Sequence, residues 1–220
     1  MLTKSQKAQE FFESGRKFLS DGNYQAAITH FEQAIQNDPT IKGLHYFAGE
    51  TCINLKRYYE AINFLLLALE SEASEQNYCS LAEAFYKSGD MKMAEIFCNE
   101  GLRCFSNSSR LHVGLGEVFF QQRSAWKAER QYEEALACDY FNVRALVNLS
   151  YMKYERGDLP EALEYVERAL SVTTDNLILL EFGVQLCRQL KAFERQAELL
   201  GEILLLNEPS ELLVFCNLAI

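Results

Sequence analysis

A chain of 220 residues that is 49% hydrophobic and 24% charged, with three prolines and eleven glycines, has the material for long helices. That composition argues against disorder and against a turn-rich all-β fold. A formal net charge of −10, with no basic tract longer than two residues, argues against nucleic acid as a partner. The longest apolar runs, such as residues 64–69 and 212–216, are far too short to span a bilayer. The N-terminal MLTKSQKAQEFF lacks the apolar run of a signal peptide, so no direct membrane insertion is expected. Seven cysteines, at 52, 79, 98, 104, 138, 187 and 216, include no C-x-x-C pair. They are expected to be buried, reduced thiols in a cytoplasmic compartment.

The first patterned stretch is FFESGRKFLSDGNYQAAITHFEQAIQNDP, residues 11–39, which predicts two amphipathic helices joined by a tight turn. Gly15 and Phe18 lie on the first helix, and Asp21-Gly22-Asn23 makes the turn. Ala27, Phe31 and Ala34 mark one face of the second helix, and Pro39 ends the unit. A shift of 34 from Gly15, Ala27 and Ala34 reaches Gly49, Ala61 and Ala68, and a shift of 33 then reaches Ala82, Ala94 and Gly101. Two more shifts of 34 reach Gly116, Ala128 and Ala135, then Ser150, Ala162 and Ala169. Small residues at all three places in five successive copies identify an internal repeat.

The connections carry helix breakers and caps. Ser88-Gly89-Asp90 and Arg156-Gly157-Asp158 repeat the first turn, whereas the fourth copy has Gln122-Arg123-Ser124-Ala125-Trp126 and no glycine. Asn23, Asp90, Ser124 and Asp158 stand where a side-chain oxygen would accept from the free amides of the next helix. Asp158, followed by Pro160 and Glu161, predicts a helix start of the capping-box type. No strand is predicted.

These residues resemble the tetratricopeptide repeat (TPR), a helix-turn-helix unit of 34 residues. Copy one matches with Phe11, Gly15, Phe18, Ala27, Phe31, Ala34 and Pro39, departing at Ser14 and in aromatic type. Copy four matches with Leu115, Gly116, Phe119, Ala128, Tyr132 and Ala135. Copy five matches with Leu146, Leu149, Ser150, Gly157, Ala162 and Ala169, but has Lys153 where the family favours an aromatic. Copy six is degenerate: Gly183 and Val184 hold the small-residue region, Phe193 begins the second helix, and Ala197 lies one place late. The resemblance implies an all-α, right-handed superhelical solenoid of about six helix-turn-helix repeats. Its units are placed at 8–41, 42–74, 75–108, 109–142, 143–176 and 177–210 within a solenoid spanning 8–210. Residues 1–7 are then an N-terminal extension. Residues 211–220 are a capping helix or the start of a truncated further repeat, and their apolar character favours truncation. The same C-terminal face could support a homo-oligomer.

The sequence offers no catalytic or cofactor site. It has no nucleophile elbow, phosphate loop, dinucleotide fingerprint or H-E-x-x-H pair. His45 and His112 fall at the place held by Phe11, Tyr78 and Leu146 in other copies, so packing is expected there rather than metal binding. His30 has no Cys or His at ligand spacing. The chain is expected to be no enzyme and to need no cofactor or metal.

The resemblance instead implies a concave groove lined by the first helix of each unit, through its second, fifth, sixth, ninth, twelfth and thirteenth places. Those places hold the aromatics Phe12, Tyr46, Phe47, Tyr86, Phe120, Tyr151, Tyr154 and Phe182. The ninth place is Glu50, Glu83 and Glu117 in three successive units, with Glu13 and Arg16 near the entrance and Arg144 and Asn148 further along. Such a groove would take a protein or peptide segment carrying apolar anchors and some Lys or Arg. The alternative is that these aromatics only support neighbouring helices and the glutamates are solvated charge. The TPR clamp for the C-terminal carboxylate of Hsp70 or Hsp90 needs Lys and Asn at set places. Those places hold Phe12, Arg16, Phe47, Gln76 and Ser80 from unit one, or Val113, Glu117, Asn148, Ile178 and Phe182 from unit four, so that mode is not expected. The leading reading is an interaction scaffold. A secretion or assembly chaperone that masks an apolar segment, and the regulatory region of a larger enzyme, are the alternatives.

Overall fold

A computed structural model describes residues 3–207. Among them the helices are α1 (Lys4–Ser20), α2 (Tyr24–Asn37), α3 (Leu44–Asn54), α4 (Tyr58–Ser71), α5 (Glu75–Ser88) and α6 (Met91–Cys104). They continue with α7 (Ser109–Gln121), α8 (Ala125–Cys138), α9 (Val143–Arg156), α10 (Leu159–Leu170), α11 (Leu177–Leu190) and α12 (Phe193–Asn207), and no strand occurs among the described residues. Helix α1 begins within the segment 1–7. The expectations for the tail at 211–220, including self-association through it, lie outside the described residues.

Two compact bodies, Met1–Ala128 and Glu129–Ile220, make up the chain. In the first, α1 pairs with α2, α3 with α4 and α5 with α6, and the second helix of each pair packs on the first helix of the next. Helices α1, α3, α5 and α7 also touch in succession, so the first helices form one continuous layer. Ala27, Ile28, Phe31, Leu44, Leu65 and Leu81 are fully buried between the layers. Each large apolar side chain among them contributes roughly 2–3 kcal/mol by leaving water. In the second body α9 pairs with α10 and α11 with α12, around Leu146, Val166, Leu180, Leu186 and Leu199.

The small residues of the motif permit close helix approach. A methyl on Gly49 would stand 2.6 Å from Leu65 Cγ, and one on Gly183 would stand 3.0 Å from Leu199 Cδ1.

All six turns inside the repeats close with the same bond, an amide donating to the carbonyl five residues back. The pairs are Asn23 to Phe18, Arg57 to Cys52, Asp90 to Phe85, Ser124 to Phe119, Asp158 to Lys153 and Ala192 to Cys187, at 2.8–3.0 Å. The residue before each donor takes a left-handed backbone. It is Gly22, Gly89 and Gly157 in the odd repeats, but Lys56, Arg123 and Lys191, at φ 58–60°, in the even ones. The glycine missing from the fourth turn is therefore replaced in kind by Arg123.

Capping matches the expected residues only in part. Asn23 and Asp90 accept from the amides of Ala26 and Met93 as expected. Asp158 occupies the N-cap of α10 but makes no side-chain cap bond, so the expected capping box does not form. Its would-be partner Glu161 binds Lys153 instead, at 2.9 Å. A capping box forms at the start of α1, between Thr3 and Gln6. Ser74, Ser108, Asn142 and Asn176, spaced by 34, cap α5, α7, α9 and α11 through the third amide of each helix.

The cysteine expectation needs one correction. Cys52, Cys98 and Cys187 are buried, and burial pushes the Cys52 thiol up to about 11 and Cys98 up to about 12. Cys104 and Cys138, which share one repeat position at the end of a second helix, are exposed.

Candidate interaction face

In the first body the layer of first helices carries most of the expected groove residues. Phe12 is 5% exposed and packs on Phe31 and Phe47, with ring centres 6.0 and 5.7 Å away. It is a core residue that offers a partner little surface. The Arg16 guanidinium lies 5.2 Å from the Phe47 ring and 5.8 Å from that of Phe12, and pairs with Glu13 at 3.6 Å. Both charged groups are about half exposed, so Phe12 and Phe47 act as a platform for Arg16.

Tyr46, on the turn of α3 next to Phe47, meets that ring edge-on at 5.3 Å. Glu50 follows one turn later and is half-buried. Burial, and then the charge of Glu83 on α5, hold the Glu50 carboxyl above the ordinary carboxylate range, while the Ser80 hydroxyl and Arg110 oppose that rise. The Tyr46 phenol is pushed up by burial and by Glu50, and the same Ser80 hydroxyl, 2% exposed, opposes that rise. Helices α3, α5 and α7 therefore bring together a half-buried acidic pair with one hydroxyl and one distant cation. A cavity of about 570 Å³ shares Tyr46 and Phe47 with this face; it lies among the loop at 39–43, the end of α4 and the start of α5, and neither Glu50 nor Glu83 lines it. Glu117 on α7 is half-buried, Tyr86 accepts from Gln121 Nε2 at 3.3 Å, and Phe120 is 46% exposed.

In the second body Tyr151 stacks on Phe182, with centres 4.5 Å apart and planes at 19°, and Tyr154 meets Phe182 edge-on at 5.5 Å. Phe182 is 6% exposed and belongs, like Phe12, to the core, because two tyrosines cover it. The Tyr154 hydroxyl accepts from Gln185 Nε2 and Gln189 Nε2 at 2.9 and 3.2 Å. Arg144 is exposed and Asn148 half-buried on the same helix.

Ser80, Arg110, Gln121, Gln185 and Gln189 were not among the expected residues. A signal for the glutamines existed: Tyr86 with Gln121 and Tyr154 with Gln189 are both 35 residues apart, one tyrosine–glutamine pair repeated. Among the described residues no helix is long and apolar enough to cross a membrane.

Comparison with known proteins agrees with the geometry. The tetratricopeptide repeat family matches residues 18–81 and again residues 113–176, together more than half of the chain. Human tetratricopeptide repeat protein 16 is 24% identical over 176 residues, covering 74% of this chain and 20% of that protein. The Hsp70-Hsp90 organising protein of Plasmodium falciparum is 26% identical over 118 residues, covering 53% of this chain and 47% of its own. The chain thus spans about a fifth of the former relative and about half of the latter. Among solved structures, Pseudomonas aeruginosa pilF superposes with a TM-score of 0.73 at 17% identity, over 95% of both chains. At that identity the likeness concerns the fold. Repeats of this kind serve protein–protein interaction, and the chain belongs to the tetratricopeptide repeat family.

Proposed function

We propose that this chain is a non-enzymatic scaffold that holds a segment of another protein, bearing apolar and basic residues, against the layer of first helices. The observation that carries this reading is the half-buried pair Glu50 and Glu83. Burial and like charge disfavour the ionised form of Glu50, so a Lys or Arg brought between the two carboxylates relieves both effects at once. Tyr46, Phe47 and the adjoining cavity supply an apolar contact of the kind that anchors a bound segment.

A terminal carboxylate is the wrong ligand for this face, despite the similarity to the Hsp70-Hsp90 organising protein. The clamp places hold Phe12, Arg16, Phe47, Gln76 and Ser80, or Val113, Glu117, Asn148, Ile178 and Phe182; the one cation among them, Arg16, already pairs with Glu13 and lies against the Phe47 ring.

The test is calorimetric titration of the intact chain with a synthetic peptide that combines leucines with lysines. Binding should weaken with salt, and the double variant Glu50→Gln, Glu83→Gln should lose roughly tenfold in affinity with its melting temperature undiminished. Equal affinity for a peptide with glutamates in place of the lysines would refute the reading.

A further inference from the structure

The three even repeats share a feature that the odd repeats lack, at the turn between their two helices. Lys56, Arg123 and Lys191 take left-handed backbone where the odd repeats use glycine. For a side chain with a Cβ that conformation is strained. Two or three residues later each even repeat exposes an aromatic: Tyr59 is 76% exposed, Trp126 66% and Phe193 67%. Tyr59, Trp126 and Phe193 are spaced by 67 residues each time, close to two repeats. The odd repeats hold Gln25, Lys92 and Pro160 at the position of Tyr59 and Trp126. A cation at a helix C-terminus suits the helix dipole. That accounts for the charge but neither for the missing glycine nor for the paired aromatic.

Two of the three copies lie in the first body. Lys56, Lys92 and Arg123 make no ion pair among the described residues. The nearby acids are engaged elsewhere: Glu60 holds Arg57, Asp90 accepts from the Met93 amide, and Glu95 accepts from Gln122 Nε2. A depression of about 480 Å³ runs from Tyr59 past Ser88 and Gly89 to Lys92. At the second copy Lys127 Nζ lies 5.7 Å from the Trp126 ring and 5.2 Å from that of Phe119. In a protein of net charge −10 this edge collects uncompensated cations beside exposed rings.

We propose that the turn edge of the first body, built on Lys56, Tyr59, Lys92, Arg123, Trp126 and Lys127, docks an acidic protein segment carrying aromatic or other apolar side chains. The carboxylates meet the cations left without partners, and the apolar side chains cover Tyr59 and Trp126. The two aromatics are two helix-layer steps apart, roughly 20 Å, which an extended segment spans in about six residues. This surface is separate from the acidic layer of first helices and has the opposite charge preference, so it does not rest on the reading above.

Trp126 is the single tryptophan, so its emission reports on this edge alone. The intact chain is titrated with a synthetic glutamate-rich peptide carrying two phenylalanines about six residues apart. The expected result is a shift of Trp126 emission to shorter wavelength, protection from acrylamide, and weakening of both with salt. The double variant Lys56→Gly, Arg123→Gly removes the charges while relaxing the backbone. It should bind roughly tenfold more weakly, with no loss of stability that could explain the change. Tyr59→Ser should weaken binding as well, and Glu50→Gln with Glu83→Gln should leave the response intact. No emission change, or an equal response to a peptide with lysines in place of the glutamates, would overturn the proposal. So would a response to phosphatidylserine–phosphatidylcholine vesicles with the peptide silent, which would assign the edge to an anionic membrane.

Discussion

Gly15 faces the ring of Phe31 so closely that a methyl at Gly15 would lie 2.6 Å from Phe31 Cε1. The two are sixteen residues apart, as are Gly49 and Leu65, and Gly183 and Leu199. Where the later residue is the smaller Cys98 or Val166, the earlier one is Ala82 or Ser150. Ala at position 15 improves helix propensity but forces Phe31 out of its place. Gly15→Ala is therefore expected to lower unfolding free energy by about 1–3 kcal/mol, measured by urea denaturation. Phe31→Val should cost less in the Gly15→Ala background than in the wild type, a coupling a double-mutant cycle detects. Gly201→Ala, which meets nothing within 4 Å in α12, should instead raise stability by about 0.5–1 kcal/mol.

The three left-handed basic residues make a prediction of opposite sign. Lys56→Gly, Arg123→Gly and Lys191→Gly each remove a Cβ from a strained backbone, and each should gain roughly 0.5–1 kcal/mol in thermal denaturation. Gly89→Ala, at φ 91° with open space around it, should lose a similar amount purely through backbone strain. If the even-repeat substitutions were neutral, the left-handed turn would not be where the cost lies.

The repeat made the fold legible, because a small residue every 34 positions is a packing requirement and its period survives divergence. Helix pairing, the turns and the layer of first helices all follow from it. The misses have local causes. Asp158 has the chemistry of a cap, but Glu161, which would complete the box, is drawn away by Lys153. Phe12 and Phe182 sit at groove places yet are buried, because neighbouring rings close over them, and side-chain volume across a layer is not written in one repeat. The Ser74, Ser108, Asn142 and Asn176 caps were in plain periodic view, but they lie at unit ends, outside the motif that defines the family.

Lys153 holds the place of an aromatic and ties Glu129 and Glu161 together at 3.1 and 2.9 Å, with Arg156 also on Glu129 at 2.7 Å. Glu129 and Lys153 are only 14% and 12% exposed, so the pair is largely out of water. Burial opposes the charge of Glu129, but hydrogen bonds from Arg156 and Lys153 outweigh it and hold the carboxyl below the ordinary range. Lys153→Met should cost about 2 kcal/mol, less than for a wholly stripped buried charge because Arg156 remains. Lys153→Phe with Glu129→Leu should be near neutral, returning the site to the aromatic the family favours. The folded pKa of Glu129 is depressed, so its contribution is present above the ordinary glutamate range and is lost as pH falls through the lowered value. Urea titrations of wild type and Glu129→Gln should therefore converge in acid and separate at neutral pH.

Glu50 should behave in the reverse sense. Burial and Glu83 raise its folded pKa above the unfolded one, so the folded state binds the proton more tightly. Its contribution to stability is complete below the ordinary glutamate range and is lost as pH rises through the raised folded value. Glu50→Gln is accordingly expected to stabilise the chain at neutral pH and to give no advantage in acid, in thermal melts followed by circular dichroism. The same ionised carboxylate is what a basic segment would need, so affinity for a lysine-bearing peptide should fall as pH drops through that value. A carboxylate kept for packing would show the stability effect alone. A carboxylate kept for a cationic partner shows both, with stability rising over the same pH interval in which binding is lost.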